Sequence, residues 1–170
     1  MYRKILVPVD GSEISARGLK EAIKLAISQH SQIRLLHIAN DRIVDSGYGD
    51  SSYGGQVIEC ARENGQKVLS GAVTLARQHG LEAETVLVES TGGPAAAMIV
   101  TEAREWPADL IVMGTHGRRG LRRLAMGSDA ESVVRNTQLP VLLVHGASRE
   151  TTGERQALIP EDASNQYVYA

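Results

Sequence analysis

Five short apolar runs, separated by segments with helical spacing, constrain the fold of this chain more than any other feature. The first run is nearly continuous in its apolar character, a pattern typical of strands buried on both faces of a parallel sheet, whereas the third run alternates between apolar and polar residues, as a strand with one side facing inward does. The runs occupy residues 5–9, 32–39, 82–89, 110–113 and 140–145. Strands that alternate with helices in this way predict one doubly wound α/β domain with right-handed crossovers.

The intervening segments carry helix signals of their own. After the first run, Ser12 or Ser15 can cap a helix in which Ile14, Leu19, Ile23 and Ile27 share one side. Residues 40–56 break the rhythm with four glycines and no sustained period, which predicts either an excursion over a site or an interface, or a surface loop without function. Residues 1–146 therefore form the predicted domain, and residues 147–170 form a polar C-terminal tail.

Composition excludes several classes of function. Hydrophobic residues make up 42% of the 170-residue chain, and the net charge is −2, so neither nucleic acid nor a membrane surface is an expected partner. Trp106 is the single tryptophan and phenylalanine is absent, which leaves few platforms for stacking bases. The single cysteine, Cys60, fits a reducing cytoplasm and is expected to be a small buried side chain. We find no apolar stretch long enough to span a membrane.

The strongest functional signal lies between residues 109 and 130. The apolar run at 110–113 is followed by Gly114, Gly117 and Gly127, and then by Ser128 and a segment with helical spacing. A strand, a glycine-bearing loop and a helix start, in that order, form phosphate sites in α/β proteins. Glycines let backbone N–H groups approach the anion, and the helix N-terminus adds partial positive charge.

The glycine spacing, G-x2-G-x9-G-S, resembles the nucleotide motif of the ATP-binding branch of the universal stress protein family. The segments ILVPVDGSE near the N-terminus and LPVLLVHG near residue 146 also resemble that family, so the similarity covers about residues 2–146. The resemblance implies the strand order 3-2-1-4-5 and a Rossmann-like fold similar to the adenine nucleotide alpha hydrolases. Strands 1 and 4 then flank the crevice in which such sheets bind ligands.

By resemblance, the nucleotide phosphates meet backbone groups near the last two glycines, and the Ser128 hydroxyl donates to a phosphate oxygen. Asp10 lies near the ribose or a Mg²⁺ ion that arrives with ATP, although a plain turn aspartate is an alternative. The ends of strands 1, 2 and 4 surround the base. The candidate nucleotide-binding residues are Pro8, Val9, Asp10, Ser12, Ile38, Ala39, Met113, Gly114, His116, Gly117, Arg118, Gly127, Ser128, Asp129 and Ala130.

Two features near the motif have competing interpretations. Asp129 stands where the family most often has a small apolar residue, and its carboxylate suits a helix N-terminus but would repel phosphates. Arg118 belongs to an arginine cluster that either reaches the phosphates or remains solvated. His37 and His145 are expected to be packed strand histidines. The sequence has no Walker lysine and no recognisable nucleophile elbow, so slow ATP hydrolysis is the most that we expect.

The leading functional hypothesis is an ATP-binding, or AMP- or ADP-binding, stress-response switch or adaptor that acts on an unidentified protein partner. An alternative is a nucleotide-free dimeric interaction module of the same fold, which Asp129 mildly favours. A nucleotide-adenylating enzyme of the pyrophosphatase type is disfavoured because PVDGSEIS stands where a serine-glycine-glycine loop is required. The strand at 141–145 would be an exposed apolar edge, so a homodimer through that edge is expected, unless the tail covers it.

Overall fold

The computed structural model describes residues 1–40, 54–90, 92–115 and 126–145. Five parallel strands form one sheet in the order β3-β2-β1-β4-β5. The doubly wound sheet and its strand order are confirmed. The elements are β1 (Lys4–Pro8), α1 (Glu13–Gln29), β2 (Gln32–Asn40), α2 (Gly54–Gln78), β3 (Ala83–Ser90), α3 (Ala95–Glu105), β4 (Leu110–Gly114), α4 (Ser128–Asn136) and β5 (Val141–Val144).

The core consists of two apolar layers, one on each face of the sheet. Successive strand residues point to opposite faces, so Val7 joins the layer under α1 and α2, whereas Leu6 joins the layer under α3 and α4. The same alternation separates Leu35 from Leu36 on β2. Burial on both faces explains why these strands are nearly continuous apolar runs.

Helix α1 begins as its sequence predicts and ends at an unpredicted position. The Ser12 hydroxyl accepts a hydrogen bond from the Ser15 N–H at 3.1 Å, which caps the helix. Leu19 and Ile23 are buried as expected, but Ile27 is 45% exposed, so its assignment to the buried side was wrong. Alanines at positions 22 and 26 occupy that side instead. His30, with φ of 56°, ends the helix in the left-handed conformation.

Helix α2 begins at Gly54, inside the predicted excursion, whose residues 41–53 lie outside the described part of the chain. Its buried side runs through Gly65, Leu69 and Ala76. Cys60 lies about half a helical turn away from that side. The thiol is therefore exposed, and the expectation of a buried cysteine was wrong. The tail at 147–170 also lies outside the described residues.

Charged side chains at the amino ends of the strands are used in packing. The Arg34 guanidinium stacks on the Trp106 ring, 4.6 Å from its centroid, and binds the buried Glu102 carboxylate at 2.7 Å. Glu84 accepts from the same guanidinium. This cluster joins β2, β3 and α3 at the end of the sheet opposite to the glycine motif.

Asp109 joins the start of β1 to the start of β4. Its Oδ2 atom accepts the backbone N–H groups of Arg3 and Lys4 at 2.8 and 2.9 Å, and its own N–H donates to the Lys4 carbonyl at 2.8 Å. The two N–H donors stabilise the carboxylate and hold the pKa of Asp109 below its usual value. These bonds fix the register between β1 and β4 at the end of the sheet opposite to the glycine motif.

We expect Asp109→Asn to lower the free energy of unfolding by about 1 kcal/mol at pH 7, because the site is exposed and a charged acceptor becomes neutral. A carboxyl with a lowered pKa stabilises the folded state above its unfolded pKa and ceases to do so as pH falls through its folded pKa. Urea unfolding at pH 7 and below pH 4 measures both effects. The two proteins should converge at low pH, and an equal difference at both pH values would contradict this account.

Candidate functional site

The carboxyl ends of β1 and β4 meet under the first turns of α1. A Cβ atom added to Gly114 would lie 2.8 Å from Ile14 Cγ2 and 3.1 Å from the Ile14 carbonyl carbon. A Cβ atom on Gly18 would lie 3.2 Å from the Gly114 nitrogen. Two glycines thus let the start of α1 and the end of β4 approach more closely than side chains would permit. Loops that are a hundred residues apart in sequence border one crevice.

The turn after β1 is held by its own polar groups. Asp10 Oδ1 accepts the Ser12 N–H at 2.9 Å, and the Asp10 N–H donates to Ser15 Oγ at 3.2 Å. Gly11, with φ of 82°, occupies a conformation that favours glycine. Asp10 therefore stabilises this turn, and its contact with the ribose or with Mg²⁺ stays a prediction. The turn follows β1 directly, so Asp10 and Ser12 lie at the carboxyl end of that strand.

The two ends of the glycine loop after β4 are joined by a hydrogen bond. Thr115 N–H donates to the Val144 carbonyl at 3.0 Å, and Gly127 N–H donates to the Thr115 carbonyl at 2.8 Å. The chain that leaves β4 at Thr115 thus returns to the same point at Gly127 before α4 begins. The candidates His116, Gly117 and Arg118 lie between these points, outside the described residues.

Helix α4 starts at this closure with its N-terminus at the crevice. Gly127 is the N-cap and has no side chain with which to occupy the N–H groups of the first turn. Ser128 and Asp129 are exposed, whereas the Ala130 side chain is buried, so Ala130 offers only its backbone. Amide groups and a helix dipole directed at one point form an anion site. The first turn also carries two acids, the exposed Asp129 directly after Ser128 and Glu131, whose carboxylate pairs with Arg135 at 2.8 Å.

The residues predicted around the base divide between the two faces of the sheet. Val9 is buried with the layer under α1 and α2, whereas Met113 is buried with the layer under α3 and α4, against which Ile38 also packs. Pro8 is half-buried, and Ala39 is 6% exposed. Val9 can therefore contribute its backbone but not its side chain to a surface that Met113 and Ile38 share.

Two buried polar residues at the crevice did not appear among the sequence candidates. His37, which is 4% exposed, donates from Nδ1 to the Val9 carbonyl at 2.6 Å. Thr115 is 1% exposed and joins both β5 and the start of α4 by its backbone. His37 is packed as expected, but its bond joins residues 28 positions apart and has no local sequence signal. His145 follows the end of β5 and is exposed, so its assignment as a packed strand histidine was wrong.

A separate groove of about 470 Å³ lies between α2 and β3. Leu69, Val73 and Leu87 line it together with polar residues, and Arg62 pairs with Glu89 at 3.2 Å within it. The groove is on the side of the sheet away from Gly127, and it holds none of the candidate residues. Among the described residues, no three histidine, cysteine or acidic side chains cluster in a way that could hold a metal ion.

Residues 1–145 match the sequence profile of the Universal stress protein family. The chain belongs to the universal stress protein family. A relative within it is Universal stress protein MJ0531 of Methanocaldococcus jannaschii, which is 34% identical over 152 residues, 88% of this chain and 86% of the relative. No helix in the described ranges is both long enough and apolar enough to cross a membrane.

Solved structures of this family have the same fold. The hypothetical protein MJ0577 is similar with a TM-score of 0.75 and 26% identity, over 87% of this chain and 99% of that protein. A universal stress protein from Archaeoglobus fulgidus, solved in complex with dAMP, is similar with a TM-score of 0.63 and 26% identity, over 84% of this chain and 98% of that one. That relative binds an adenine nucleotide.

Proposed function

We propose that this universal stress protein binds an adenine nucleotide, ATP together with Mg²⁺, in the crevice at the carboxyl ends of β1 and β4. The observation that carries the proposal is the Gly127-to-Thr115 hydrogen bond of 2.8 Å, which brings the last motif glycine and the start of α4 to the end of β4. Backbone N–H groups and a helix N-terminus then face one point, as phosphate binding requires. The dAMP complex of the Archaeoglobus relative supports the adenine nucleotide class.

The main candidate residues are assigned to the phosphates, the ribose or metal, and the base. Phosphates bind the N–H groups at the start of α4 and the Ser128 hydroxyl, while the loop residues Gly117 and Arg118 approach from the other side. Asp10 binds the ribose or the Mg²⁺ that accompanies ATP. Ile38 and Ala39 offer backbone groups to the adenine edge, and Met113 packs against the base. None of these residues is given the role of a general base or of a nucleophile. We therefore propose that ATP is hydrolysed slowly at most.

A nucleotide switch follows from these contacts. ATP would connect the β1 turn with the loop after β4, and a ligand that binds one arrangement of these segments more tightly shifts the protein toward it. A protein partner in the cytoplasm would respond to that arrangement. Asp129 favours the second candidate, a dimeric interaction module without nucleotide, because its carboxylate stands on the first turn of α4 beside the proposed phosphates.

The experiment that separates these two candidates is the identification of nucleotide in the purified protein. Protein is denatured, and the released small molecules are identified and quantified by mass spectrometry. Calorimetry with added Mg-ATP, Mg-GTP and AMP then measures affinity. Release of an adenine nucleotide, or binding of Mg-ATP but not Mg-GTP, supports the proposal. No released nucleotide and no binding of Mg-ATP at millimolar concentration would favour the interaction module.

We also propose that the protein forms a homodimer through β5. This strand pairs with β4 on one side and lies at the end of the sheet, and Leu142 within it is 40% exposed. An unpaired edge strand with apolar side chains presents free backbone groups with which another chain can pair. Two β5 strands related by a twofold axis would cover each other.

We expect Leu142→Lys to raise the dimer dissociation constant about tenfold, because a charge would replace an apolar contact at the centre of the interface. Ile58→Lys is the matched control, since Ile58 is also an exposed apolar residue, 45% exposed, but lies on α2. Light scattering over a concentration series measures both variants. A wild-type protein that is monomeric at all concentrations, or equal weakening by both substitutions, would refute the β5 interface.

A further inference from the structure

The carbonyl of Val9 is held by the imidazole of His37, at the point where β1 ends and the nucleotide crevice begins. Val9 N–H donates to the Leu36 carbonyl at 2.8 Å, so its nitrogen continues the parallel ladder between β1 and β2. Its carbonyl accepts from His37 Nδ1 at 2.6 Å. A carbonyl oxygen can only accept, so Nδ1 carries the proton. The side chain of one β2 residue thus fixes the last peptide before Asp10.

Helix α2 holds the imidazole in place. A Cβ atom on Gly65 would lie 2.8 Å from His37 Cδ2 and 2.6 Å from Leu87 Cδ1, so the helix backbone lies directly against the ring. One turn further along α2, Val68 Cγ2 would lie 3.1 Å from a Cβ atom on Gly11. The same helix therefore covers both the histidine and the turn that follows Val9. The edge of the ring that carries Cδ2 is therefore packed closely against α2.

We propose that His37 is a positioning residue of the nucleotide site, through its hydrogen bond to the Val9 carbonyl. This inference rests on the proposed nucleotide binding and assigns His37 no contact with the ligand. The peptide between Val9 and Asp10 has its oxygen held by His37 and its N–H held by Ser15 Oγ at 3.2 Å. Both polar groups of this peptide are therefore hydrogen-bonded, and the two bonds fix the orientation of its plane. That orientation in turn directs the side chain of Asp10.

Two amide substitutions of His37 distinguish positioning from general packing. Asparagine places an N–H donor close to the position of Nδ1, whereas glutamine places its amide closer to the position of Nε2. Both are neutral and polar, and both leave part of the imidazole volume unfilled. We expect His37→Gln to weaken Mg-ATP binding about tenfold and His37→Asn to weaken it less than about threefold. Thermal unfolding should show similar losses of stability for the two variants.

Calorimetry with Mg-ATP and thermal unfolding of both variants complete the test. Weak binding by the glutamine variant together with near-normal binding by the asparagine variant supports the proposal. It is overturned if the glutamine variant binds as tightly as wild type, or if the two variants lose affinity equally. If wild type itself binds no nucleotide, the proposed function fails. The positioning of the turn is then judged in the free protein, where unchanged Asp10 and Gly11 amide resonances in His37→Gln would overturn it.

Discussion

Replacing Gly127 with aspartate should weaken Mg-ATP binding at least about a hundredfold while the protein remains folded. Gly127 is the N-cap of α4, with φ of −64° and ψ of 149°, a conformation that any residue adopts. Aspartate is among the preferred N-cap residues, so helix α4 should not lose stability. Its carboxylate, however, would take the N–H groups that the phosphates need and add a negative charge within a few ångströms of them.

Gly127→Asn is the matched control for charge, because asparagine has nearly the same shape and also caps helices well. It should weaken binding by less than the aspartate variant, since it competes for the N–H groups without repelling phosphate. Calorimetry gives the affinities, and urea unfolding confirms that all three proteins fold. A Gly127→Asp protein that binds Mg-ATP as tightly as wild type would show that the phosphates do not lie at the start of α4.

Replacing Gly18 with valine should lower the free energy of unfolding by about 2 kcal/mol. The added atoms meet backbone rather than flexible side chain, because a Cβ atom there would lie 3.2 Å from the Gly114 nitrogen and 3.3 Å from the Met113 carbonyl carbon. Overpacking of this kind typically costs about 1–3 kcal/mol. Helix α1 would move away from β4, and the crevice between the β1 turn and Gly114 would widen.

Gly71→Ala, in helix α2, is the matched control and should raise the free energy of unfolding rather than lower it. A Cβ atom on Gly71 has nothing within 4 Å, so the substitution should add about 0.5–1 kcal/mol of stability through helix propensity alone. Urea unfolding measures both variants under the same conditions. A Gly18→Val protein as stable as wild type would mean that the close approach of α1 and β4 is not required.

Much of the fold could be predicted from the sequence because strand burial leaves a direct trace in it. Both faces of the sheet are covered, so β1 and β4 are almost entirely apolar, and the order of the strands follows from the family resemblance. The ends and faces of helices were harder to predict. Ile27 and Cys60 were expected to be buried, but both are exposed. The buried side of α1 carries alanines, and that of α2 includes Gly65. Small residues pack there because the helices approach the sheet closely, and hydrophobicity alone does not reveal that.

The candidate site could be predicted only where its signal is local in the sequence. The glycine spacing and Ser128 identified the start of α4, and DGS after β1 identified the turn. Contacts between distant residues left no such trace. The Gly114 contact with Ile14 and the His37 bond to Val9 each depend on how two strands and a helix are arranged in space. Sequence patterns also could not show that Val9 and Met113 lie on opposite faces at the end of the sheet.

The most direct test of the nucleotide site is a titration of ¹⁵N-labelled protein with Mg-ATP, followed through its backbone amide resonances. We expect the largest shifts at Gly127 and Ser128, with further shifts at Asp10 and Ala39, because these groups border the proposed nucleotide site. Residues of the groove between α2 and β3, such as Ser70 and Thr85, should change little. Large shifts in that groove with none at Gly127 and Ser128 would contradict the placement of the nucleotide.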